Sequence, residues 1–369
     1  MSGGGGGGEA RVLITGGAGF VGANLAVALA GRHPEWQLIA LDNLRRRGAE
    51  LNLPRLRAAG VEFVHGDVRH RADVEAVGPL EAIVECSAEP SVLAGYGDGA
   101  DFVVNSNLLG AWHCIELAAA RGAQLVFLST SRVYPLAGLR SLVFEERGER
   151  FELTDAQPQP GASSRGVSEE FPLDGARTLY GATKLAAELL IAEQREARGL
   201  RAVVDRCGVI AGPWQMGKVD QGVFTHWMLS HVFGRPLSYI GFGGSGRQVR
   251  DLLHVDDLVD LVEDQLRRPE VWDGATVNVG GGREVSLSLA EATRLCREIS
   301  GVEVEVRSQA AERPGDVPVY LSDTSRAAEL GGWAPRRSAR QTLEDIHDWI
   351  RENREPLRAA LAAGGEGGR

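Results

Sequence analysis

Cysteine is scarce: Cys86, Cys114, Cys207 and Cys296 are the only four in 369 residues, far apart and without a C-x-x-C spacing. That excludes a disulfide framework and a zinc knuckle, so no metal is expected and the thiols read as reduced and structural. Aromatic residues make up only 6% of the chain, and no apolar run approaches the ~20 residues of a membrane span. Met1 to Ala10 has neither a basic nor an apolar leader region, which leads us to expect a cytoplasmic protein with no membrane partner. Positive charge is also short. Forty Lys+Arg against fifty Asp+Glu leave a net charge of −10, the wrong sign for a main partner such as nucleic acid. A few arginines gathered locally would still suit a small phosphorylated ligand.

At roughly 150 residues per domain, the length corresponds to two domains or one large α/β unit with an extension. Glycine is the abundant residue, at 48, but part of the excess lies in Gly3 to Gly8 and in the tail from Gly364. Residues 1–9 and 364–369 are therefore expected to be disordered tails. Between them, the β-rich runs Arg11–Thr15, Gln37–Asp42, Val61–His65, Ala82–Ser87, Gln124–Thr130 and Arg201–Cys207 alternate with helical patterns such as Asn107–Arg121 and Tyr180–Arg198. Such alternation predicts βαβ units in a parallel sheet covered on both faces. Pro135 to Arg177 reads as a long loop with short elements, and loops of that length are usually functional. Beyond Cys207 the order becomes irregular. A Gly- and Gln-rich stretch over 212–222 precedes an apolar helix near Val223–Phe233, which predicts a smaller α/β domain over 207–363 following a first domain over 10–206. Residues about 236–275 are expected to return to the first sheet.

The first strand runs directly into Thr15-Gly16-Gly17-Ala18-Gly19-Phe20-Val21-Gly22, which opens a helix. In a strand–turn–helix of this kind Gly16 permits the tight turn, Gly19 lets backbone approach a pyrophosphate and Gly22 lets helix and strand pack closely. The helix N-terminus then offers N–H groups to phosphate. About 20 residues on, the next strand ends in Asp42-Asn43. A carboxylate there accepts hydrogen bonds from adenosine ribose hydroxyls and repels a 2′-phosphate, so NAD is expected rather than NADP, against the counter-signal of Arg45, Arg46 and Arg47. The whole pattern describes a Rossmann-like, doubly wound parallel sheet. Asp67, after the third strand, is placed either to accept from an adenine amino group or to cap a helix.

Tyr180 and Lys184 are four residues apart at the start of a helix, on one face. A tyrosinate base at neutral pH needs a shift of about 3 units, roughly 4 kcal/mol. One cation ~4 Å away supplies about that at an effective dielectric of ~20, so Lys184 aided by a positive nicotinamide is expected to suffice. The strand before it ends in Ser129-Thr130 at the carboxyl edge of the sheet, where a hydroxyl can polarise a substrate oxygen.

These residues resemble the extended short-chain dehydrogenase/reductase family of nucleotide-sugar enzymes over nearly the whole chain between the glycine tails. The resemblance implies tightly held NAD, acid/base hydroxyls at Thr130 and Tyr180, and Lys184 on the nicotinamide ribose. It implies that NAD contacts extend to Phe20, Val21, Asn43, Arg46, Val68, Ser87, Ala88, Glu89, Asn107, Ser129 and Cys207. Asp42-Asn43-Leu44 with Arg46 and Gly48, Phe63 to Asp67, and Gly246 to Asp251 resemble the CDP-paratose (CDP-tyvelose) 2-epimerases. Similar sugar 4,6-dehydratases carry an Asp-Glu pair where this chain has Ser131-Arg132, and similar uronate decarboxylases carry a glutamate at Arg132; neither chemistry is expected here.

Arg250 and Arg313 suit a diphosphate, although each could instead pair with an acid such as Asp251 or Asp316. The resemblance assigns both to the nucleotide diphosphate and implies substrate contacts at Thr130, Ser131, Arg132 and Gln221. Residues 212–222 either close over a sugar nucleotide or form a solvent loop. Two departures stand out: Val209 replaces a substrate-binding asparagine, and Glu85-Cys86-Ser87-Ala88-Glu89 replaces a His-Leu-Ala-Ala/Gly turn. The expectation is an NAD-dependent CDP-hexose 2-epimerase; the alternatives are a 4-epimerase or related sugar-nucleotide enzyme, and a non-catalytic NAD sensor. Apolar residues on Asn107–Arg121 and Tyr180–Arg198 exceed what sheet packing requires, and predict a homodimer through a four-helix bundle, as the resemblance also implies.

Overall fold

A computed structural model describes residues 10–96, 99–217 and 221–362. The expected tails and Lys218, Val219 and Asp220 of the polar stretch lie outside the described residues. Seven parallel strands, β1 (Arg11–Thr15), β2 (Gln37–Asp42), β3 (Glu62–His65), β4 (Ala82–Glu85), β5 (Gln124–Thr130), β6 (Ala202–Cys207) and β7 (Thr276–Val279), form the central sheet. Their order is β7-β6-β5-β4-β1-β2-β3. The chain moves outward from β1 to β3 and then returns to β4 on the other side of β1. In open α/β sheets that reversal leaves a crevice beyond the carboxyl ends of the two strands. Thr15 and Glu85, in register across β1 and β4, are therefore at its floor.

Alternation along the strands sorts the core into two layers, since successive side chains leave opposite faces. Val12 and Ile14 pack with α1 (Phe20–Arg32) and the helix Val255–Arg267, whereas Leu13 packs with α2 (Gly110–Arg121) and α3 (Leu179–Arg198). Thr178 caps α3 by accepting from the Gly181 N–H at 3.2 Å, which fixes where Tyr180 and Lys184 begin.

Of residues 236–275, the helix Val255–Arg267 covers the central sheet, and the strand beyond it, β7, becomes the sheet edge. Leu237–Ile240 and Val249–His254 belong to smaller sheets instead. Val249–His254 pairs with Val209–Ala211, Ser286–Ser288 and Val319–Tyr320, and a separate core gathers the helices Val223–Phe233, Leu289–Ser300 and Ala339–Glu352. Pro135 to Arg177 contains a short helix, Leu136–Arg140, and the hairpin Phe144–Arg147 with Arg150–Leu153.

Candidate active site

The turn after β1 fits a dinucleotide pyrophosphate. Gly16 has φ +61°, a left-handed conformation that a side chain would strain. A Cβ on Gly22 would come within 2.3 Å of the Gly16 carbonyl oxygen, so Gly22 closes the helix onto the turn rather than onto the strand. No side chain caps the N-terminus of α1 at Gly19, which leaves the leading N–H groups of Phe20, Val21 and Gly22 for a ligand. Asp42 accepts from Ala18 N–H at 3.1 Å and Leu44 N–H at 2.8 Å, and burial pushes its carboxyl up against those bonds. The carboxylate thus sits between the glycine turn and the end of β2, as ribose recognition requires.

Around it, several expected contacts acquire protein partners. Asp67 does not cap a helix: its carboxylate accepts from Arg69 Nη2 at 2.6 Å and from Asn43 Nδ2 at 2.8 Å. Burial alone would raise it, but the guanidinium and amide hold it well below the usual carboxylate range. Val68 packs against Gly110, and its carbonyl meets His113 Nδ1 at 2.8 Å. Arg46 donates to Gln221, joining a residue expected at NAD to one expected at substrate. Asn107 lies in a widened helical turn, Asn105–Leu109, and exchanges two hydrogen bonds with the Glu89 backbone at 2.7 and 3.0 Å, which pins the loop carrying Ser87, Ala88 and Glu89. That wide turn lies inside a helical run that begins at Ala100, seven residues before the expected start at Asn107, and such turns recur at functional sites.

At the carboxyl end of β5, Thr130 lies next to Tyr180 from the first turn of α3, beside Cys207 on β6. Lys184 follows one turn later, 2% exposed, with its Nζ 3.1 Å from Glu85 Oε2 and 4.3 Å from the Phe127 ring centre. Burial raises the Tyr180 phenol above its ordinary value, against the pull of Lys184, Thr130 and Arg132. Lys184 alone does not offset that burial; the expectation coupled it with a bound nicotinamide. The Lys184 ammonium is shared with the buried carboxylate of Glu85, a partner that sequence reasoning did not pair with it. A glutamate closing an otherwise apolar strand, Ala82-Ile83-Val84-Glu85, was the available signal.

Beyond Thr130 a cavity of about 350 Å³ opens between the two parts of the molecule, lined by Arg132, Gln221, His226, Arg250 and Arg313, with Val209. Ser131 is buried next to Arg132, whose Nη1 donates to the Gly315 carbonyl at 3.1 Å. Arg250 donates to Asp316 at 2.5 Å and to the Val317 carbonyl at 2.6 Å, so the ion-pair alternative is realised at this position. His226 was not anticipated; burial, Arg235 and Arg313 keep its imidazole below its ordinary value. The Ser129 hydroxyl donates to Glu188 at 2.5 Å, and Glu188 is held by Arg206 at 2.7 Å. Among the described residues no group of three or more His, Cys, Asp or Glu could hold a metal.

Residues 12–280 match the model of the family described as the NAD dependent epimerase/dehydratase family. The chain is 28% identical to the CDP-paratose 2-epimerase of Salmonella typhi, over 92% of this chain and 98% of that protein. It is 30% identical to the dTDP-glucose 4,6-dehydratase of Streptomyces antibioticus, over 94% of this chain and 95% of that protein. Among solved structures it is similar to the UDP-glucose 4-epimerase of Thermus thermophilus in complex with NAD, with TM-score 0.73, 26% identity, and coverage of 92% and 99% of the two chains. The chain is therefore an enzyme of the NAD dependent epimerase/dehydratase family, and NAD is its cofactor.

Proposed function

We propose that the enzyme is a nucleotide-diphosphate-sugar epimerase acting at carbon 2 of a CDP-hexose through a transient 2-keto sugar. The observation that carries the reading is the gathering of Thr130, Tyr180 and Lys184 at the carboxyl end of β5, with Ser131 and Arg132 beside them instead of an acid, and with Arg132 lining a cavity that Arg250 and Arg313 also line. Elimination of water needs a group to protonate the departing hydroxyl, and a guanidinium is a poor donor of that proton. The similarity to the Salmonella typhi 2-epimerase supports the choice of carbon and nucleotide.

In this reading residues 10–206 hold NAD and residues 207–363 mainly bind the substrate. When bound, NAD supplies a hydride acceptor that can give the hydride back. Tyr180 takes the proton of the carbon 2 hydroxyl, Thr130 orients that oxygen, and Lys184 stabilises the phenolate. Arg250 and Arg313 anchor the diphosphate while the ketone turns about the bonds to phosphate, and Tyr180 returns the proton on the opposite face. The apolar side chains left exposed on the α2 and α3 side, Leu109 and Leu189 with Val104, support a homodimer through a four-helix bundle. Four unpaired cysteines, three of them buried, support a cytoplasmic location.

The test is nuclear magnetic resonance of product mixtures after incubation with CDP-, UDP-, GDP- and dTDP-hexoses. Inversion at carbon 2 of the CDP-sugar is expected. Inversion only at carbon 4, as a 4-epimerase would give, replaces this reading.

A further inference from the structure

Glu85 is fully buried at the end of β4, beside the crevice where the sheet reverses. A carboxylate in such a place is costly unless it is paired and hydrogen-bonded. Both oxygens are engaged: Oε2 lies 3.1 Å from Lys184 Nζ, and Oε1 accepts from the Ser87 hydroxyl. The strand is tied off just there, because the Cys86 N–H turns to Thr15 Oγ1 at 3.2 Å. The Lys184 ammonium is consequently clamped between a carboxylate and the face of Phe127, one helical turn from the Tyr180 phenol.

We propose that Glu85 is a positioning residue that fixes the Lys184 ammonium and offsets its charge, so that Tyr180 holds its proton more firmly than Lys184 alone would allow. A neutral group at this place would leave the full positive charge of Lys184 to stabilise a phenolate. The carboxylate instead keeps the phenol protonated until more positive charge comes next to it, which restrains unproductive deprotonation. The inference rests on reading Tyr180 as the proton carrier, but not on the identity of the sugar or of the carbon inverted.

The other titratable groups around the trio are Cys86, Cys114, Cys207, Asp205 and Arg132. Burial pushes the three thiols up, and they are the same in wild type and variants. Asp205, pushed up to about 7, acts on Cys86 and Cys207, and it is left unchanged in the variants used below.

The experiment is an ultraviolet difference titration of tyrosinate in the NAD-bound enzyme, with Tyr180→Phe as the blank, in wild type and in Glu85→Gln. The amide keeps the shape and an oxygen for Lys184 while removing the charge. The Tyr180 midpoint is expected to fall by about one pH unit in the variant, and the ascending limb of kcat/KM to move to lower pH with it, giving about tenfold more activity than wild type on the acid flank. A midpoint that stays put or rises in a folded, NAD-bound Glu85→Gln overturns the proposal. Should that variant fail to fold, Glu85→His, the residue type usual at this turn in the family the chain resembles, is read in the same way. Because the titration needs no substrate, a wrong assignment of sugar or carbon leaves its outcome untouched.

Discussion

Arg250 Nη2 lies 2.5 Å from an Asp316 carboxylate oxygen, inside the cavity where a diphosphate is proposed to bind. The pair is mostly buried, with side-chain exposures of 12% and 22%, so it is not a solvated surface contact. The carboxylate holds the guanidinium in place and also competes for it. Substrate binding must therefore share or displace Asp316. Arg250→Ala should raise KM by roughly tenfold or more, the loss of one charge-assisted bond, with a smaller change in kcat. Steady-state kinetics showing an unchanged KM would remove Arg250 from the diphosphate site.

Tyr180→Phe keeps the ring but deletes the oxygen that moves the proton. Turnover should fall by roughly a thousandfold while NAD remains bound, as read by cofactor absorbance in the purified protein. Near-normal turnover would refute the role.

Lys184→Ala removes the cation that stabilises the phenolate. The phenol then binds its proton more tightly, so the ascending limb of kcat/KM should move to higher pH, opposite to the shift expected for Glu85→Gln. It should also weaken NAD retention during gel filtration.

Asp205 is buried within β6, with Gln265 Nε2 donating to it at 2.8 Å, and burial pushes its carboxyl up to about 7. In the unfolded chain it would lose its proton near ~4. Between those values the folded state binds the extra proton, so this group's contribution to stability falls as pH rises through that window. Asp205→Asn cannot ionise. Its melting temperature relative to wild type should therefore improve between about pH 5 and about pH 8, and a constant difference across that range would contradict the assignment. Asp251, also raised, is present in both proteins and cancels.

Leu189 is 66% exposed on α3, the highest value among the large hydrophobic side chains of the described residues. If α2 and α3 pair across a two-fold axis, Leu189→Glu should convert the dimer to a monomer by light scattering. A wild-type monomer at micromolar concentration would dismiss the bundle.

The sheet was legible because its strands carry short, nearly continuous apolar runs ended by Gly, Asp or Ser-Thr, and β1, β2 and β5 have the predicted bounds. Ala82–Ser87 was read two residues too long, since nothing in the sequence reveals that the Cys86 N–H leaves the ladder for Thr15 Oγ1. The glycine turn, Asp42, Thr130, Tyr180 and Lys184 were recognisable because their chemistry depends on local spacing and strand ends. Partners distant in sequence were not. Glu85 and Lys184 are 99 residues apart, and Ser129 and Glu188 are 59 apart. Only the packing of α3 on β4 and β5 brings these pairs together. Asp67 has a partner close in sequence that spacing did not reveal either: Arg69, two residues on, donates to its carboxylate.

In the proposed reaction one hydride leaves carbon 2 and returns to it without exchange with solvent. The most direct test uses CDP-hexose deuterated at carbon 2, turned over in ordinary water, alongside unlabelled substrate in deuterium oxide. The epimer is expected to keep its label at carbon 2 in the first case and to carry no deuterium on any ring carbon in the second. Loss of the label, solvent deuterium on a ring carbon, or inversion at carbon 4 with carbon 2 untouched would contradict it.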